Sequence, residues 1–72
     1  MTEYRLYLGS KNTGIVVRED PKYPGIMWRV HWPDRPVSDM VNLARAKDAA
    51  MRWATRGGGK QPRDLNWKAR TG

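Results

Sequence analysis

The 72-residue sequence contains no cysteine, no phenylalanine and a single histidine, His31. Without cysteine there are no disulfide bonds, thiolate metal sites or cysteine nucleophiles, and one histidine leaves no second imidazole for a metal. Acidic residues are also scarce, because seven Asp and Glu stand against 14 Lys and Arg, which gives a formal net charge of +7. We therefore expect a protein that uses no cofactor or metal and binds polyanions.

Long apolar segments are absent as well. A secretory signal needs an apolar run of roughly 7 to 15 residues and a membrane span needs about 20, and the sequence has neither. We therefore expect a cytoplasmic protein that does not enter a membrane. No catalytic pair at a recognisable spacing and no glycine-rich phosphate loop ahead of a helix is present, so we expect that the protein is not an enzyme.

What the sequence does contain is a series of short segments with the period of two that is typical of β-strands. Residues 4–8, 15–18 and 26–32 predict three strands, because they alternate or are rich in β-branched and aromatic residues and are bounded by turn residues. Residues 37–41 predict a short fourth strand at an edge of the sheet.

A helix is predicted after Asn42, a favoured N-cap residue, by an alanine-rich stretch that ends at the glycines of residues 57–59. Together with the strands it predicts an α+β fold, in which a three- or four-stranded antiparallel meander packs against one C-terminal α-helix. The predicted core consists of apolar strand positions and one helical stripe: Tyr4, Leu6, Leu8, Ile15, Val17, Ile26, Trp28, Val30, Leu43, Ala46, Ala50 and Trp53.

Residues 1–57 are expected to form this single small domain, and residues 58–72 a glycine-rich turn and a basic tail. The alternative for the second segment is that Leu65 and Trp67 dock back on the core. The charge is concentrated in this half of the chain, since residues 41–72 hold eight basic residues against only Asp48 and Asp64.

Two groups of residues are candidates for contact with nucleic acid. Arg18 and Arg29, on the outward face of the predicted sheet with Arg5, Tyr7 and His31, are candidates for contact with base edges. A plain solvated strand face is the alternative. Contacts with phosphates and release of their counterions are assigned to the basic residues of the helix and tail, and base stacking to the tail tryptophan: Arg45, Arg52, Arg56, Lys60, Arg63, Lys68, Arg70 and Trp67.

The helix and the segments beyond it resemble the end of APETALA/ethylene-response-factor type DNA-binding domains, and integrase arm-binding domains are similar in outline. The resemblance lies in residues 44–50 (Ala-Arg-Ala-Lys-Asp-Ala-Ala), in Arg56-Gly57 and in Leu65-Asn66-Trp67. It implies a three-stranded sheet whose arginine and tryptophan side chains lie in the major groove while the helix supports the sheet from behind. On this resemblance the contact residues would be Arg18 and Arg29, with Arg5 beside them.

These observations favour a small, non-enzymatic accessory protein of phage or mobile-element origin that binds nucleic acid, DNA rather than RNA, as a monomer or weak homo-oligomer. The alternative is a protein-interaction or homo-oligomeric module that uses a sheet edge or the segment around Trp67. A basic helix lying on an anionic membrane is less favoured, because the apolar stripe of the helix is already committed to the sheet.

Overall fold

The computed structural model describes residues 2–56 and 62–71. Within these residues the strands form one antiparallel sheet in the order β3-β2-β1-β4, and the helix lies against one face of it, so the predicted α+β fold is confirmed. The elements in chain order are β1 (Thr2–Leu8), β2 (Lys11–Glu19), β3 (Trp28–His31), α1 (Leu43–Thr55), a 3₁₀ turn (Pro62–Asp64) and β4 (Leu65–Thr71).

The fourth strand lies near the end of the chain and not at residues 37–41. β4 pairs with β1 along its whole length, from Thr71 opposite Thr2 to Leu65 opposite Leu8. The predicted basic tail is therefore wrong over residues 65–71, and the alternative, in which this segment docks on the domain, is correct. In the segment predicted as the fourth strand, only Val41 forms an isolated bridge, to Trp28.

The helix begins where the sequence predicts. The Asn42 side chain accepts a hydrogen bond from the backbone N–H of Arg45 at 2.9 Å, which confirms the N-cap. Its buried residues are Ala46, Ala50 and Ala54, whose small side chains let the helix approach β2 and β3 closely. The glycines predicted to end the helix lie outside the described residues. No helix in the described chain is long and apolar enough to cross a membrane.

The hydrophobic core lies between the helix and the sheet. One predicted core residue is wrong: Ile26 is 69% exposed, because the chain is still in a turn at this position and β3 begins only at Trp28. Tyr4, Leu8, Leu43 and Trp53 pack against the core while partly exposed. The buried hydrophobic residues are Leu6, Ile15, Val17, Trp28, Val30, Ala46, Ala50, Ala54 and Leu65, of which Ala54 and Leu65 were not predicted.

The tight contact between helix and sheet predicts that Ala50→Leu destabilises the fold. Ala50 has no solvent exposure, so the larger side chain must push the helix away from β2 and β3. We expect a loss of about 1 to 3 kcal/mol in the free energy of unfolding, measured by urea titration of tryptophan fluorescence. Ala44→Leu, at an exposed position of the same helix, is the control and should change stability by no more than about 0.5 kcal/mol. Equal effects of the two variants would contradict the packing described here.

Candidate nucleic-acid interface

The face of the sheet that points away from α1 is called the open face here. Side chains alternate along each strand, so the neighbours of the buried Leu6, Val17 and Val30 point to the opposite side. None of the described helices or turns packs on that side. The open face consists of Glu3, Arg5 and Tyr7 of β1, Val16 and Arg18 of β2, Arg29 and His31 of β3, and Asn66, Lys68 and Arg70 of β4.

The strand register arranges the charged side chains of the open face in two rows across the sheet. Neighbouring strands lie about 4.8 Å apart and alternate residues of a strand about 6.8 Å apart, so both rows fit within roughly 14 by 7 Å. The rows together carry five Lys and Arg side chains and a single carboxylate. The first row is Arg29, Arg18, Glu3 and Arg70, and the second is His31, Val16, Arg5 and Lys68.

Glu3 is the carboxylate of these rows, and it lies between arginines. Its side chain accepts a hydrogen bond from Nε of Arg5 at 2.7 Å, and Nε of Arg18 lies 3.4 Å from its other oxygen. The hydrogen bond from Arg5, reinforced by the charges of Arg5, Arg18 and Arg70, holds the pKa of Glu3 below its ordinary value against the opposing effect of burial. Glu3 therefore stays ionised at neutral pH and partly neutralises the centre of the open face.

Asp20 fixes the position of Arg29 at the β3 edge. The buried Asp20 carboxylate accepts from Nε of Arg29 at 2.7 Å and from the backbone N–H of Lys22 at 2.8 Å. The bond from Arg29 is the largest cause of a lowered pKa at Asp20. Arg29 also donates from Nη1 to the carbonyl of Ser38 at 3.0 Å, so two of its donors are used within the chain.

The open face offers little aromatic surface for stacking. Tyr7 is its one aromatic residue besides His31, and the Nζ atom of Lys68 lies 4.4 Å from the Tyr7 ring centre. His31 is half-buried, and its pKa is lowered by burial and by the charges of Arg18 and Arg29, while Glu3 acts in the opposite direction. The neutral imidazole is thus the main form at neutral pH.

The predicted site residues fall on two different surfaces. Arg45, Arg52 and Arg56 are exposed on or next to the helix, which lies on the other side of the sheet. Arg52 pairs with Asp48 at 3.1 Å, and the Arg56 guanidinium lies 5.3 Å from the Trp53 ring centre. The members that the structure brings together are those of the open face: Arg18, Arg29, Lys68 and Arg70.

Trp67 lies on the side of β4 that faces the helix and packs, partly buried, against the core. The Nζ atom of Lys47 lies 5.7 Å from the centre of the Trp67 ring and 4.0 Å from that of Tyr4. The tryptophan is thus placed away from the cationic rows. Arg63 is exposed in the 3₁₀ turn, and Lys60 lies outside the described residues.

Three residues of the site were not among the sequence-predicted contacts. Arg5 and His31 were placed on the outward face by strand alternation, but neither was a committed contact, and Glu3 was not considered at all. The signal was present in the sequence, because Glu3, Arg5 and Tyr7 alternate with Tyr4, Leu6 and Leu8. Their nearness to Lys68 and Arg70 depends on the β1–β4 register, which is a property of the fold.

No protein-family model, curated protein or solved structure matches the chain. The resemblance to sheet-plus-helix DNA-binding domains therefore stays a prediction. Within residues 2–56 and 62–71 no group of three or more acidic or histidine side chains is arranged to hold a metal ion.

The bond between Asp20 and Arg29 predicts a loss of stability in Asp20→Asn. The amide lacks the negative charge that orients Arg29, so we expect the melting temperature at pH 7 to fall by about 4 °C or more, measured by circular dichroism. Asp34→Asn, at an exposed carboxylate, is the control and should melt close to the wild type.

The pH dependence of the same variants follows from the lowered pKa values. Because the pKa values of Asp20 and Glu3 are depressed in the folded state, their stabilisation is present above about pH 4 to 5 and is lost as the pH falls toward 3. Asp20→Asn should show a smaller loss between pH 5 and pH 3 than the wild type. An unchanged acid limb would show that this carboxylate adds nothing to folding.

Proposed function

We propose that the protein binds nucleic acid through the open face of its sheet. The observation that carries the proposal is the pair of cationic rows, in which Lys and Arg side chains from all four strands surround a single carboxylate on an uncovered surface. Cations held this closely repel one another, and their repulsion is relieved when phosphates replace the condensed counterions of a nucleic acid.

The chemistry of the open face favours contact with a phosphate backbone over stacking of single-stranded bases. Single-strand binders present aromatic rings on which successive bases stack. Here Lys68 lies over the Tyr7 ring, and Trp67 lies on the other side of the sheet. Duplex DNA, whose backbone presents a regular array of phosphates, is therefore the proposed ligand, in agreement with the DNA-binding domains that the sequence resembles.

The helix arginines have a secondary part in this proposal. Arg45, Arg52 and Arg56 lie on the opposite side of the molecule from the open face, so the two surfaces do not contact the same segment of one duplex. Arg52 is also offset by Asp48, one turn earlier on the helix. The cations of the open face are opposed only by Glu3 within the rows, and by Asp20 at the β3 edge.

Base reading by Arg18 and Arg29 stays a prediction, and the two residues differ in what they have to offer. Arg29 already donates to Asp20 and to the backbone of Ser38, whereas the Arg18 side chain is 50% exposed and makes one looser ion pair. Contact with phosphates needs only charge and donors, so we propose that most of the affinity is independent of base sequence.

The proposal predicts that Arg18→Gln weakens duplex DNA binding more than Arg52→Gln. Each variant removes one positive charge, but only Arg18 lies on the open face. In a tryptophan-fluorescence titration at low salt, we expect Arg18→Gln to lose about fivefold in affinity, the factor for unit charges about 4 Å apart in water. The slope of log affinity against log salt should become shallower by about one.

Arg52→Gln is the matched control and should change both quantities little. Equal losses in the two variants would move the binding surface away from the open face. Absence of binding to duplex DNA, single-stranded DNA and duplex RNA at low salt would contradict the proposed function itself.

A second candidate function is self-association through the free edge of β4. This strand has seven residues and is hydrogen-bonded in the described sheet only to β1, which leaves the backbone groups of its outer edge available for another strand. Lys68 and Arg70 lie on this strand, and charged residues at an edge oppose pairing, so nucleic-acid binding remains the preferred function.

Self-association predicts a molecular mass that rises with protein concentration in light scattering. Pairing of two β4 edges should produce a species of twice the 8.3 kDa chain mass. A single-chain mass across the micromolar to millimolar range would contradict this second function.

A further inference from the structure

One end of the open face contains a hollow of about 580 Å³, called the Glu3 hollow here. Arginines from three strands contribute to its wall: Arg5 of β1, Arg18 of β2 and Arg70 of β4. His31 of β3 and the carboxylates of Glu3 and Glu19 complete its polar lining. The volume is ample for a phosphate group with some of its water.

The two carboxylates of the hollow have different partners. Glu19 accepts a hydrogen bond from the backbone N–H of Thr2 at 2.6 Å, which ties it to the start of β1. Glu3 instead receives Nε of Arg5 at 2.7 Å and lies 3.4 Å from Nε of Arg18, with Arg70 directly opposite it on β4. A small oxyanion of this same chain thus already lies where guanidinium groups of separate strands converge.

Carboxylate and phosphate oxygens are bound by guanidinium groups in the same way, through short charge-assisted N–H bonds. Each guanidinium carries five N–H donors, and Glu3 engages Arg5 and Arg18 through Nε, so other donors remain on both groups. Glu3 has a flexible side chain with 21% of its surface exposed, so it is able to turn away from the arginines toward water.

We propose that the Glu3 hollow is a binding site for a single phosphate group, and that the Glu3 carboxylate is an internal competitor which this phosphate displaces from Arg5 and Arg18. The inference rests on the proposed function where the phosphate belongs to a nucleic acid. A free phosphate or sulfate ion has the same chemistry, and the experiments below separate the two sources.

His31 gives this site a proton-linked signal. The charged groups that face it are Arg18 of β2, Arg29 of its own strand, and Glu3 and Arg5 of β1. A phosphate placed among these groups brings more negative charge close to the imidazole than Glu3 alone supplies. Bound phosphate therefore raises the pKa of His31, and binding strengthens as the pH falls from 7.5 to 5.5.

The first experiment compares Glu3→Gln with Asp48→Asn in the full chain. Both variants remove one negative charge, but Asp48 lies on the helix, on the far side of the sheet. We expect Glu3→Gln to bind duplex DNA about fivefold more tightly than the wild type, the factor for removing one unit charge about 4 Å from the ligand. Asp48→Asn should change the affinity less than twofold, and circular dichroism establishes that both variants are folded.

The outcomes separate this inference from the proposed function. If the wild type binds duplex DNA and Glu3→Gln gains no more than Asp48→Asn, the competitor is excluded while the proposed function stands. If Glu3→Gln binds more weakly, Glu3 positions the arginines for the ligand, which also overturns the inference. If no protein binds any nucleic acid at low salt, the proposed function fails and the small-anion experiment decides.

That experiment follows the His31 ring signals by NMR, which are unambiguous because the chain has a single histidine. The probes are sulfate and dimethyl phosphate, whose charges stay constant between pH 5.5 and 7.5. We expect either anion to raise the pKa of His31, and to do so at lower concentration in Glu3→Gln than in Asp48→Asn. An effect of sulfate alone identifies a site for free anions, whereas an effect of dimethyl phosphate supports a backbone phosphate. A His31 titration unchanged by both anions and by duplex DNA would overturn the inference.

Discussion

One helix covers only one face of a four-stranded sheet, and the rest of this structure depends on that constraint. The helix α1 lies over β2 and β3, and the apolar side chains of the strands point toward it. Every second residue of each strand must then face the other way, toward water. Polar and charged residues occupy those positions, so the same alternation that builds the core also builds the cationic surface opposite it.

Local patterns in the sequence predicted most of this architecture. The alternation of residues 4–8, the β-branched residues 15–18 and the N-cap at Asn42 each lead to an element that the structure contains. The failure at Ile26 has a local cause, because Ile26 and Met27 donate backbone hydrogen bonds to the carbonyl of Tyr23 and so form a turn rather than a strand.

The fourth strand was misplaced because charge and alternation were weighed in the wrong order. Leu65, Trp67 and Ala69 alternate with Asn66, Lys68 and Arg70, which is the same period of two that identified the first strand. The density of basic residues nevertheless suggested a tail. Pairing with β1 resolves the conflict, because it places the apolar half of β4 at the core side and the basic half on the open face.

The candidate site was predictable in its residue types but not in its grouping. Basic residues that are neighbours in sequence, such as Arg56 and Arg63, do not join the two rows, whereas Arg5 and Lys68 are directly opposite each other. Sequence distance says nothing about which face a residue takes once the chain reverses. The acidic partners Glu3 and Asp20 were missed for a related reason, since their effect depends on which arginine lies beside them in the folded sheet.

The pairing of β1 with β4 also bears on the order in which the molecule assembles. It joins residues from Leu8 with Leu65 to Thr2 with Thr71, the largest sequence separations in the sheet, whereas the β1–β2 hairpin closes over a short turn. Loop-closure entropy makes such a long-range pairing the costliest to form, and contacts of this kind slow folding. Lys68 and Arg70 reach Arg5 and Glu3 only through this contact, so the complete cationic surface exists only in chains that have finished folding.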